Sequence, residues 1–142
     1  MKNKIIIIAI TLIIIIISGT ILYSNIRDYL SIIEKKVVYA KVNIGDHIGF
    51  DLNSTALTFG MIPSGGSASR DITLQNIHNN SVKIQIYITG YIKDFISASE
   101  NNFILNDNES KNITFTVAAP KNTPSNSYDG NVIFLMRNPI VK

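Results

Sequence analysis

Between Ile5 and Leu22 the chain runs for eighteen residues without a charged side chain, and isoleucine dominates the run. A helix of this length covers roughly 27 Å, close to the hydrocarbon thickness of a bilayer. Isoleucine is a mediocre helix former in water. In lipid, however, each backbone amide must be paired within its own segment, so the helix is enforced. Ile5, Ile8, Leu12, Ile15 and Leu22 are expected to contact membrane lipid, and Tyr23 falls where an interfacial aromatic belongs. Thr11, Ser18, Gly19 and Thr20 are small or can bond back to the helix.

A cleaved signal peptide is the competing reading, with Lys2 and Lys4 as its basic start. The apolar run is longer than the usual h-region of about 7–15 residues, and no small-x-small cleavage site follows it. No Lys/Arg-Gly junction precedes the run, as a prepilin leader would require. The expectation is therefore a single-pass helix over 5–23 behind a cytoplasmic basic tail, 1–4. Arg27, Lys35 and Lys36 nearly balance the tail in the positive-inside comparison. The very short basic tail tips the reading to N-in, C-out, with the body of the protein outside the cytoplasm at the cell membrane.

After the apolar run 120 residues remain, Tyr23–Lys142, the size of one domain. The formal charge of +3 suggests a polyanion partner until Lys2 and Lys4 are set aside. Eleven basic residues then face ten acidic ones, and no basic cluster exceeds Lys35–Lys36, which argues against nucleic acid. Cysteine is absent, so disulfides, thiol chemistry and Cys-based zinc sites are excluded. An extracytoplasmic domain without disulfides points to a prokaryotic surface, and the richness in Ile, Asn and Lys suits an AT-rich, for instance archaeal, genome.

Ile26, Tyr29, Leu30, Ile33 and Val37 keep a helical spacing, which predicts a juxtamembrane helical stem over 24–36. From residue 37 the period changes to two. Val38, Ala40, Val42 and Ile44 alternate with polar neighbours, and Gly45-Asp46 predicts a turn. Ile48, Phe50 and Leu52 predict a second strand, and Leu57, Phe59 and Met61 a third, ending at Pro63-Ser-Gly-Gly. Ile72 and Leu74 follow. Val82, Ile84, Ile86 and Ile88 form the cleanest alternation, then a short edge strand over 95–99, a strand through Ile113, Phe115 and Val117, and a last one over about 128–137. Short strands separated by turn residues read as an all-β antiparallel sandwich of about seven strands over 37–142, preceded by one transmembrane helix.

The stretch Leu57-Thr-Phe-Gly-Met-Ile-Pro-Ser-Gly-Gly, followed by Arg70-Asp-Ile-Thr-Leu-Gln-Asn76, resembles the immunoglobulin-like domains of the ASPM–SPD2–hydin type and the related major-sperm-protein and pilus-chaperone sandwiches. Later landmarks fall in the same order: Val82-Lys-Ile84, Phe95-Ile-Ser97, Leu105, Ile113-Thr-Phe-Thr-Val117 with Pro120, and Tyr128-Asp-Gly-Asn-Val132. The pattern covers about 57–136. It departs at Leu105-Asn-Asp-Asn-Glu-Ser110, where such domains often carry Leu-x-Pro-Gly. The resemblance implies a non-enzymatic protein-binding or spacer module and identifies no site.

Catalytic patterns are scarce. His47 and His78 are the two histidines, each expected as a solvated loop residue, and no Gly-x-Ser-x-Gly elbow supports a triad. Ser64-Gly-Gly-Ser67 lacks the Lys-Ser/Thr of a phosphate loop and reads as an inter-strand turn. Asp107-Asn-Glu109 lacks the order of a calcium loop and reads as a surface turn. No catalytic residue, cofactor or metal is expected. Four sequons, at Asn53, Asn79, Asn108 and Asn112, suit a glycosylated surface domain.

The last strand stands apart because it is apolar on both faces, with Val132, Phe134 and Met136 on one and Ile133 and Leu135 on the other. Either it is a central strand covered on both sides, or Ile133 and Leu135, joined by Tyr87 and Tyr91, form a face for a protein partner or another copy. The leading expectation is a membrane-anchored, non-catalytic interaction or structural module of a cell-surface assembly. The alternative is a pilin-like or archaellum-associated filament component. A carbohydrate-binding or hydrolytic ectodomain ranks last, because no aromatic platform beyond scattered tyrosines, and no tryptophan, is present.

Overall fold

A computed structural model of the chain describes residues 2–46 and 56–139. The expected strand through Ile48, Phe50 and Leu52, and with it His47 and Asn53, lies outside the described residues. The chain divides into two compact units, Met1–Ile32 and Ile33–Lys142.

The first unit is one helix, α1, Lys2–Leu30. It is long and apolar enough to cross a membrane. Ile5, Ile8, Leu12, Ile15, Leu22 and Tyr23 all lie on its exposed surface. The hydroxyls of its apolar run are bonded back to the preceding turn. The hydroxyls of Thr11, Ser18 and Thr20 donate to the carbonyls of Ile7, Ile15 and Ile17 at 2.9, 3.0 and 2.8 Å, so none presents an unpaired donor to an apolar surrounding.

The helical stem expected over 24–36 is corrected by the backbone. α1 ends at Leu30, Ser31 makes a turn, and β1 begins at Ile32 and runs to Ile44. The Ser31 amide and hydroxyl close the helix on the carbonyls of Arg27 and Asp28. Beyond them Ile32, Ile33, Val37 and Val38 are β-branched, and pairing in the sheet outweighs the helical spacing of the same residues. Ile33 and Val37 therefore do not continue the face of Ile26, Tyr29 and Leu30.

The second unit is a sandwich of eight strands among the described residues. These are β1, β2 (Leu57–Ile62), β3 (Ser67–Gln75), β4 (Val82–Gly90), β5 (Ile96–Ala98), β6 (Phe103–Leu105), β7 (Ser110–Ala118) and β8 (Asn126–Arg137). A 3₁₀ turn, Tyr91–Asp94, joins β4 to β5. One sheet has the order β2-β1-β8-β4-β6 and the other β3-β7-β5. The wholly antiparallel expectation fails at β1 and β2, which are parallel, with Ala40 beside Leu57 and Ile44 beside Ile62. Alternation of apolar residues reports which side chains face the core and carries no strand direction.

Inward residues of both sheets build one core. Ala40, Val42 and Ile44 of β1, Val82 and Ile84 of β4, Ile113, Phe115 and Val117 of β7, and Val132, Phe134 and Met136 of β8 are all buried. Phe115 meets Phe134 across the sheets edge-to-face, with centroids 5.9 Å apart. Each of the larger aliphatic and aromatic side chains contributes about 1.5–3 kcal/mol when removed from water. At the rim the Arg70 guanidinium Nε donates to the Thr58 carbonyl at 3.0 Å, tying β3 to β2.

Two asparagines replace missing backbone partners. Asn76 is fully buried. Its Nδ2 donates to the carbonyls of Asn80 (2.9 Å), Leu105 (3.3 Å) and Asn106 (2.9 Å), and its Oδ1 accepts from the His78 amide. Asn101 extends the edge of β4, its Oδ1 accepting from the Ile86 amide and its Nδ2 donating to the Ile86 carbonyl at 2.7 and 2.8 Å.

Candidate interaction face

The outward residues of the five-stranded sheet form the candidate site. Because β8 is the middle strand, its outward side chains are flanked on both sides. Tyr87 of β4 lies opposite Ile133, Gln85 opposite Leu135, and Lys83 opposite Arg137. Ile104 of β6 sits beside Lys83 and is exposed. Ile133 and Leu135 are half-buried while Tyr87 is 46% exposed, so the row is partly shielded by its neighbours and still open.

Tyr39 of β1, the strand next to β8, also faces outward, on the side opposite buried Ala40. Its hydroxyl donates to Asp129 Oδ2 at 3.2 Å. Loss of solvent at the sheet surface, and then the hydrogen bond and charge of Asp129, hold the phenol above its ordinary value of 10.0. Tyr39 was not among the expected face residues. Its alternation with Ala40 marked it as outward, but nothing in the sequence brings β1 beside β8.

Of the residues expected to form a partner face, Tyr87, Ile133 and Leu135 share this surface. Tyr91 does not join their row. It lies in the 3₁₀ turn beyond β4, 79% exposed. The turn is positioned by Gly90, with φ 84°, and by buried Ile92.

His78, expected as a solvated loop residue, is half-buried beside β1. His78 Nε2 lies 3.5 Å from Glu34 Oε2. Gly66 N–H donates to the Pro63 carbonyl and shapes the turn through Ser64–Ser67. Glu109 Oε2 accepts from the backbone and side-chain nitrogens of Asn106 at 2.7 and 3.0 Å, so this carboxylate caps its own turn. Among the described sequons Asn79 and Asn108 occupy exposed turns, and Asn108 adopts φ 57°. Asn112 lies on β7, where its Oδ1 accepts from the Thr73 hydroxyl at 2.6 Å.

Comparison of the chain with protein-family models, with curated proteins and with solved structures finds no match.

Proposed function

We propose that the chain is a membrane-anchored, non-catalytic interaction or structural module whose immunoglobulin-like sandwich lies outside the cytoplasm and binds a protein partner. The observation that carries this reading is the outward row built by Tyr87, Ile133 and Leu135. Tyr87 and Ile133 lie side by side on a regular sheet, Leu135 follows opposite Gln85, and Lys83 and Arg137 close that end of the row. Tyrosine offers large contact area at small entropic cost, which suits a protein interface. The apolar α1 supplies the anchor, and Lys2 and Lys4 favour the N-in orientation.

A photo-crosslinking residue at position 133 of the full chain in intact cells tests the reading. A discrete cross-linked protein species is expected there and not with the same probe at Ser97, on the opposite sheet. Equal and diffuse labelling at both positions would overturn it.

The filament reading is favoured by a separate observation. β1 follows α1 after Ser31 alone, so a strand of the domain is joined almost directly to the apolar helix.

A further inference from the structure

Ile77 is 69% exposed in the turn between β3 and β4, among the polar residues Asn76, His78, Asn79, Asn80 and Ser81. The turn is held firmly. Asn76 Oδ1 accepts from the His78 amide across Ile77, and Nδ2 of the same buried side chain holds the carbonyls of Asn80, Leu105 and Asn106. An Asx turn of this kind places Ile77 at its apex but does not require the apex to be apolar. The fold thus presents an isoleucine on a rigid mount, at a position where a polar residue would serve the turn as well.

The turn lies at the end of the sandwich where β1 starts. His78 Nε2 is 3.5 Å from Glu34 Oε2 of β1. Val82 and Lys83, the first residues of β4, oppose Leu105 and Ile104 of β6, and Lys83 also opposes Arg137, the last residue of β8. This end therefore carries exposed Ile33, Ile77 and Ile104 together with basic Lys35, Lys36, Lys83 and Arg137. Of its acids, Glu34 is engaged by Lys36 and His78 and Glu109 by Asn106, while Asp107 is exposed.

The apolar helix brings lipid within reach of the same end. The 29 residues of α1 rise about 43 Å, the depth of a bilayer counted through both headgroup layers. On the membrane-anchored reading, Tyr29 and Leu30 then stand at the lipid–water boundary. Glu34 follows Leu30 by four residues, at most about 14 Å of extended chain, and its contact with His78 keeps the turn beside it. This limit is set by the covalent chain and holds for any orientation of the sandwich.

We propose that Ile77 inserts into the interfacial layer of the membrane that α1 crosses, giving the sandwich its own contact with phospholipid. The exposed aliphatic side chain leaves water there, and Lys35, Lys36 and Lys83 meet lipid phosphates. The inference rests on the anchored reading above and adds which end of the sandwich faces the bilayer.

The absence of native cysteine gives a single labelling position. Full-length Ile77→Cys carrying the environment-sensitive dye NBD is reconstituted into vesicles of phosphatidylcholine and phosphatidylglycerol, with a nitroxide lipid near the headgroups of both leaflets. The proposal predicts several-fold stronger quenching than with the dye at Ser64→Cys, in the turn at the other end of the sandwich. With the dye at Asn79→Cys and Ile77 kept, quenching should remain strong and fall several-fold when Ile77→Asp is added. Equal quenching at positions 77 and 64, or no effect of Ile77→Asp, would overturn the proposal. Flotation of the same vesicles reports the anchor independently. Protein that floats without quenching at position 77 removes the lipid contact and leaves the anchored reading standing, whereas protein that fails to float removes both.

Discussion

Tyr87 and Ile133 are directly opposed across the β4–β8 ladder, and both point away from the core that Ile86 and Phe134 enter one residue away. A charge at position 133 would thus meet the outer surface and spare the packed interior. Ile133→Lys is expected to abolish partner capture while costing at most about 1 kcal/mol of stability. Capture in cells and chemical denaturation of the purified full chain check the two parts. A loss of several kcal/mol would place Ile133 in the core instead.

Gly130 is the β8 partner of Gly90, and a Cβ on Gly130 would run into the Thr89 carbonyl oxygen of the neighbouring strand. Backbone has no flexible end to move aside. Gly130→Ala should lower stability by about 2–4 kcal/mol. An unchanged denaturation midpoint would contradict this close approach.

Asn76 serves three carbonyls and one amide from a fully buried position. Truncation to alanine leaves those groups unpaired, at an expected cost of about 2–4 kcal/mol. Asn76→Asp should be no milder, because it loses the donors and adds a buried charge. Thermal unfolding of the three proteins side by side gives the order.

Tyr39 carries a pH dependence whose sign follows from its raised pKa. The folded state holds the phenolic proton more tightly than the unfolded chain does. The resulting stabilisation is complete below the unfolded value of 10.0 and is lost as pH rises through the folded one. Stability measured from neutral pH to about pH 11 should fall more steeply for the wild type than for Tyr39→Phe. Identical slopes would contradict the shift.

The apolar helix and most of the strands were legible in the sequence because each rests on local periodicity. Val82, Ile84 and Ile86 alternate cleanly and are buried as β4, and Ile113, Phe115 and Val117 behave likewise in β7. The end of α1 was not legible, since Ile33 and Val37 satisfy a helical and a strand pattern at once and only sheet pairing decides. β6 escaped as a strand because the three residues Phe103–Leu105 lie between the asparagines at 101–102 and 106, which read as turn. The parallel β1–β2 pair, and the placement of Tyr39 beside Asp129, depend on strand order, which alternation does not encode. The work of Asn76 and Asn101 was hidden among many other asparagines in turn-like segments.

The central claim is that α1 anchors a sandwich outside the cytoplasm, and protease accessibility of a tag placed after Lys142 in intact cells tests it most directly. The account predicts that external protease removes the tag while a cytoplasmic marker survives. A tag that is protected until the cells are lysed would place the sandwich inside, void the sequon reading at Asn79 and Asn108, and contradict the account.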